Sequence, residues 1–72
     1  MNFGERLSML RKEKALTQKD LGEDLGVGER SIRSYEGGAR HPDFQGLLRM
    51  ADYFDVSLDY LVGRSNHKKL MP

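Results

Sequence analysis

The sequence predicts an all-α fold of five short helices, and three observations carry that prediction. Leu and Met supply 14 of the 72 residues, whereas Val, Ile and Thr together supply 5, a bias toward helix over strand. Apolar residues recur three and four positions apart, which lays them along one face of a helix. Residues that cap or stop helices, such as Thr17, Gly26, Asp43, Ser57 and Gly63, fall at the ends of those periodic stretches.

The first helix is expected over residues 3–14, with Phe3, Leu7 and Leu10 on its apolar face and Arg6, Lys12 and Glu13 elsewhere. Ala15-Leu16 is a short connection. Thr17 reads as an N-cap, and Asp20 three residues on completes a capping-box-like pair. A second helix follows over about 18–25, with Leu21 and Leu25 inward. Gly22 lies inside it, where glycine costs ~1 kcal/mol relative to alanine and marks a place where something packs close. Gly26 suits a left-handed C-terminal cap.

Gly28 is a weak N-cap for a third helix over 29–36, anchored by Ile32 and Tyr35 with Glu36 beside them. Gly37-Gly38 ends it, and Pro42 closes the loop 37–42. Asp43 caps a fourth helix to about Phe54, whose expected apolar stripe is Phe44, Leu47, Leu48, Ala51 and Phe54. Ser57 caps a short fifth helix carrying Leu58, Leu61 and Val62, and Gly63 stops it. The sequence therefore divides into one domain over 1–63 and a flexible tail, or the start of a linker, over 64–72.

Composition excludes most other classes. The length allows one domain. Without cysteine there is no disulfide, thiolate metal site or thiol nucleophile, and His41 and His67 cannot build a zinc site alone. Apolar runs are far shorter than the roughly 20 residues of a membrane span, and Met1–Glu5 lacks the apolar core of a signal peptide, so the chain reads as cytoplasmic. Gly26-Val27-Gly28 before Ser31 only approaches a dinucleotide-binding loop, and it follows a helix instead of a strand. No catalytic serine or metalloprotease motif is present, so no enzyme activity, metal or cofactor is expected. The formal net charge is +1, but residues 27–42 are mildly basic and 43–61 acidic, which leaves nucleic-acid binding open.

The informative unit is 17–36. Two short helices joined by Gly26-Val27-Gly28 cannot lie antiparallel, and such a turn sets them at roughly 90–120°. Ile32 and Tyr35 anchor the second of the pair and leave its opposite face free for solvent or a ligand. Leu16-Thr17-Gln18, Leu21-Gly22, Leu25-Gly26-Val27, Ile32, Tyr35-Glu36-Gly37, Pro42 and the stretch 56–63 carry a family resemblance. Over residues 3–63 the chain resembles the Cro/phage-repressor-like (XRE-type) helix-turn-helix family. That resemblance implies a compact five-helix, lambda-repressor-like domain that binds double-stranded DNA as a transcriptional regulator, most often a repressor dimerised on a palindromic operator. Three positions depart from the family pattern: Gly22 replaces a preferred alanine, Gly28 a preferred hydroxyl residue, and acidic Glu29 occupies a position that often reads bases.

With Ile32 and Tyr35 inward, Arg30, Arg33 and Ser34 point outward and Glu29 flanks them. These residue types match major-groove edges: Arg to guanine, Glu to the cytosine amino group, Ser to either. The competing reading is an exposed Glu29–Arg33 ion pair at i,i+4. Gln18 begins a helix, where free N–H groups favour a phosphate. Lys19, Ser31, Arg40, His41 and the backbone at Gly28 are further phosphate candidates. The resemblance implies that Arg11 pairs with Glu36 across the first and third helices, and that Arg11 also faces a phosphate.

Tyr53, Tyr60, Leu61 and Val62 are candidates for a dimer contact, the alternative being that they only close the core. The length fits a whole small regulator, including an antitoxin or restriction controller, or the N-terminal domain of a longer repressor. The rival reading is a protein-interaction module on the same fold. Neither the operator nor any inducer or anti-repressor is legible in the sequence.

Overall fold

The computed structural model describes residues 1–68. Its five helices are α1 (Phe3–Glu13), α2 (Gln18–Leu25), α3 (Glu29–Glu36), α4 (Phe44–Phe54) and α5 (Leu58–Leu61). No strand occurs among the described residues.

Four of the five helices start where a side chain accepts from one of their free N–H groups. The Asn2 side chain accepts from the Glu5 backbone N–H, and the Glu5 carboxylate accepts from the Asn2 N–H, a full capping box. Thr17 and Asp20 form a second one on α2. Asp43 accepts from the Gly46 N–H and Ser57 from the Tyr60 N–H. Helix α3 is the exception: its N-cap, Gly28, has φ +86° and offers no side chain.

The core is built evenly. The five largest fully buried side chains are Leu7, Leu21, Ile32, Met50 and Leu61, one from each helix. Around them lie Leu10, Leu25, Tyr35, Ala51, Phe54 and Tyr60. Helix α3 packs against both α2 and α1, and α5 against α4 and α1. The radius of gyration, 11.2 Å, matches the roughly 11 Å of a compact domain of this length.

Several sequence expectations need correction. Phe44 is 61% exposed and lies outside the core, while Leu47 and Leu48 are only half-buried. The inner face of α4 is Met50, Ala51 and Phe54, toward its C-terminal end. The N-terminal turn of α4 carries Gly46 against Pro42, so close that a Cβ there would stand 2.8 Å from the Pro42 Cβ. Arg6, expected off the apolar face of α1, is 4% exposed. Its guanidinium lies 3.7 Å from the Tyr60 ring centroid, so the planar cation packs as an aromatic neighbour would. Tyr60 and Leu61 are buried and belong to the core, which removes them as dimer contacts; Tyr53 and Val62 are half-buried.

Beyond α5, the Arg64 N–H donates to the Asp59 carbonyl and the Ser57 hydroxyl to the His67 carbonyl. The Ser57 N–H donates to the Lys68 carbonyl, so residues 64–68 run back along the start of α5. The remainder of the expected tail, 69–72, lies outside the described residues. Among the described residues no helix is long and apolar enough to cross a membrane.

Candidate nucleic-acid interface

The turn between α2 and α3 decides what α3 can present. Gly26 is left-handed, with φ +72°. The Gly26 N–H donates to the Glu23 carbonyl, and the Val27 and Gly28 N–H groups donate to the Gly22 carbonyl at 3.0 and 3.1 Å, a Schellman-type ending. The chain then re-enters a helix within three residues. This brings the start of α3 onto Gly22 so closely that a Cβ there would stand 2.7 Å from the Glu29 nitrogen and nearer still to the Gly28 carbonyl. The departure from alanine at Gly22 therefore coincides with a close backbone approach.

Ile32 and Tyr35 bury the inner face of α3, and the outer face stays open. Glu29, Arg30 and Arg33 are exposed; Ser31 and Ser34 are half-buried. Arg33 Nη2 donates to Glu29 Oε2 at 3.2 Å, with the two side chains 63% and 47% exposed. The exposed ion pair is thus formed in the free protein. Arg30 makes no side-chain hydrogen bond or ion pair among the described residues, and neither do Lys19 and Ser31. Because Gly28 supplies no cap, the first-turn N–H groups of α3 have no side-chain acceptor.

Behind this face lies a polar brace. Arg11 Nε donates to Glu36 Oε2 at 2.6 Å and Arg11 Nη2 to Glu36 Oε1 at 3.0 Å. Arg11 Nη1 donates to the Leu16 carbonyl at 2.8 Å, and Gln18 Nε2 to Glu36 Oε1 at 3.1 Å. The Arg11 and Glu36 side chains are only 12% and 8% exposed. Burial opposes ionisation of Glu36, but hydrogen bonds from Arg11 and Gln18 outweigh it and hold its carboxyl below the ordinary range. The bond from Arg11 to Glu36 likewise raises the guanidinium. One carboxylate therefore ties α1, the start of α2 and the end of α3 together. Gln18 spends its amide N–H on this brace, and its amide oxygen remains for other partners.

Arg40 is exposed in the loop after α3, its guanidinium 5.6 Å from the Tyr35 ring centroid. The Ala39 and Arg40 N–H groups donate to the Ser34 carbonyl, which fixes the loop to the end of α3. His41 Nδ1 lies 3.0 Å from the Pro42 carbonyl. Among the described residues no cluster of three or more His, Asp or Glu stands close enough to hold a metal ion.

Sequence reasoning missed three ties. The Asn2–Glu5 capping box was visible as Asn-x-x-Glu. The bond from Arg49 Nη2 to the Leu25 carbonyl, 2.6 Å, and the Tyr53 hydroxyl on Asp24, 2.6 Å, join α4 to the end of α2 across 24 and 29 residues and leave no local signal.

A helix-turn-helix family model matches residues 7–61. The uncharacterized HTH-type transcriptional regulator YqaE of Bacillus subtilis is 43% identical over 67 residues, covering 92% of this chain and 58% of its own length. The cryptic phage CTXphi transcriptional repressor RstR of Vibrio cholerae is 34% identical, covering 89% of this chain and 57% of its own. Among solved structures, the P22 c2 repressor protein in complex with a synthetic operator superposes with a TM-score of 0.83 at 29% identity, over 90% of this chain and 98% of that one. The chain thus spans a little over half the length of the curated relatives it matches. Those relatives are transcriptional regulators, and the family is not enzymatic. With its sequence match over 7–61 and its superposition on the P22 c2 fold, the chain belongs to the helix-turn-helix family, of the Cro and phage-repressor type.

Proposed function

We propose that this chain binds double-stranded DNA sequence-specifically and regulates transcription from the cytoplasm as a repressor, with α3 in the major groove. The observation that carries this reading is the outer face of α3. It presents Arg30, unpaired among the described residues, beside Arg33 and half-buried Ser34, on a helix tied from behind by the Arg11–Glu36–Gln18 brace. Donors of this kind match the acceptor edges of bases.

Around that face, groups suited to phosphates form a rim. They are the open first-turn N–H groups after Gly28, Lys19 and Gln18 at the start of α2, Ser31, and Arg40 beyond α3. Arg11 braces Glu36 with a side chain only 12% exposed, so its phosphate contact is the most restricted of the set. One such domain reads a short half-site. Two copies about one helical turn apart, ~34–36 Å, would read a palindromic operator as a homodimer.

The test is selection from a random duplex pool at ~150 mM salt, repeated at ~50 mM, where phosphate contacts strengthen. A two-fold symmetric enriched motif supports operator binding by a dimer. Enrichment at neither salt concentration overturns sequence-specific binding by this chain on its own: either it does not dimerise on DNA by itself, or the same face binds a protein. In the bound complex, Arg30→Ala should cost ~1–3 kcal/mol at one base position, whereas Lys19→Ala should weaken all sequences alike and lower the salt slope by about one.

A further inference from the structure

We infer that Glu29 and Arg33 read a single G·C base pair together, as one donor–donor–acceptor unit, rather than acting as two separate readers or as a surface ion pair. This inference rests on the proposed placement of α3 in the major groove and adds the base pair that this end of the helix selects.

The pair leaves donors and an acceptor unused. Arg33 Nη2 donates to Glu29 Oε2, the one hydrogen bond either side chain makes among the described residues. Arg33 therefore keeps the second N–H of Nη2 beside the free N–H groups of Nη1, and Oε1 of Glu29 keeps its lone pairs. Both side chains remain largely accessible, at 63% and 47%. They belong to the first turn of α3 and the turn after it, the part of the helix that begins at the tight Gly26–Gly28 turn.

A G·C pair shows the major groove two acceptors, guanine N7 and O6, followed by one donor, the cytosine amino group. The paired side chains offer the complement in the same order: guanidinium donors, then a carboxylate acceptor. An A·T pair presents acceptor, donor, acceptor, so its adenine amino group would meet guanidinium N–H and its thymine O4 would meet the carboxylate. The pairing also removes an objection to Glu29. Alone, its charge would oppose approach to a polyanion; held by Arg33 at 3.2 Å, it enters as half of a neutral unit. The carboxylate in turn limits the rotamers of Arg33, so the guanidinium meets the base already oriented.

Random-pool selection on the unaltered chain, Glu29→Ala and Arg33→Ala tests this. Both side chains are exposed, and circular dichroism would verify that each variant retains its helices. The expected result is one position per half-site at which the unaltered chain prefers G·C by about tenfold or more. Both variants should lose that preference at that same position and leave the other positions unchanged. If the two variants alter different positions, or if Glu29→Ala raises affinity evenly for every sequence, the unit is wrong while DNA reading by α3 stands. If the unaltered chain enriches no motif, the inference falls together with the DNA-binding reading.

Discussion

Arg11 and Glu36, 25 residues apart, grip one another through two hydrogen bonds of 2.6 and 3.0 Å at side-chain exposures of 12% and 8%. Each is also held by a third group, Arg11 by the Leu16 carbonyl and Glu36 by the Gln18 amide. The ion pair therefore sits at the junction of three helices, directly behind the face of α3 that carries Arg30.

Removing one partner leaves the other charge poorly solvated. Arg11→Met and Glu36→Met are each expected to cost about 2–4 kcal/mol, less than a fully buried pair because both side chains keep some contact with water. The double variant should lose less than the sum of the two by at least ~1 kcal/mol. Urea unfolding of the four proteins measures this, and strictly additive losses would show that the pair is not energetically coupled.

The same carboxylate sets a pH dependence. The folded Glu36 carboxyl lies below its ordinary 4.5, so on acidification the unfolded chain takes up its proton first. The stability from this group is complete above about pH 5 and is lost as pH falls through the folded value. Asp20, lowered by its capping bonds from Thr17, acts in the same direction. Stability measured at fixed ionic strength should therefore decline below about pH 5, and Glu36→Gln should flatten that decline without abolishing it.

At high pH the relevant group is Tyr53, whose phenol is pushed up to about 12 by donating to the Asp24 carboxylate. A raised folded value means that the folded state holds the proton more tightly. This contribution is present below pH 10 and is lost between there and 12. Tyr53→Phe should cost about 1 kcal/mol at neutral pH and remove that part of the alkaline decline. An unchanged alkaline limb would mean that the Tyr53–Asp24 bond is not maintained in solution.

Backbone conformation supplies a reciprocal pair. Gly26 is left-handed at φ +72° with open space where a Cβ would stand, so Gly26→Ala should cost about 1 kcal/mol for conformation alone. Ala15 adopts φ +56° while bearing a side chain, so Ala15→Gly should be neutral or stabilising by up to about 1 kcal/mol. Thermal melts of the two variants should shift in opposite directions, or only the first should shift.

The two ends of α4 differ in what they hold together. Phe44, 61% exposed, should tolerate Phe44→Ser within about 0.5 kcal/mol. Phe54, 8% exposed in the core cluster, should lose about 3–5 kcal/mol on Phe54→Ala. A large loss at Phe44 in the monomer would contradict its placement outside the core.

The sequence by itself determined the five helices and the points where they start and stop, because caps and apolar periodicity act over three or four residues. Thr17 with Asp20, Asp43 and Ser57 hold the free N–H groups of their own helices, and Gly26 takes the left-handed turn that larger side chains disfavour. It also determined which side of α3 is inward, since Ile32 and Tyr35 leave the opposite side to Arg30, Arg33 and Ser34. Only the tertiary structure decided which periodic residues reach the core. Phe44 fits the stripe of α4 yet stays 61% exposed, because burial needs another helix across from it; Arg6 lies off the stripe of α1, yet Tyr60 of α5 covers it. The brace around Glu36 belongs to the same level. The family resemblance implied the Arg11–Glu36 pair, and the structure forms it; no local energy across 25 residues could reveal its 2.6 Å geometry or the Gln18 amide that joins it from a third helix. Local hydrogen bonding is written in short intervals of sequence, whereas burial depends on what the other helices place across the gap.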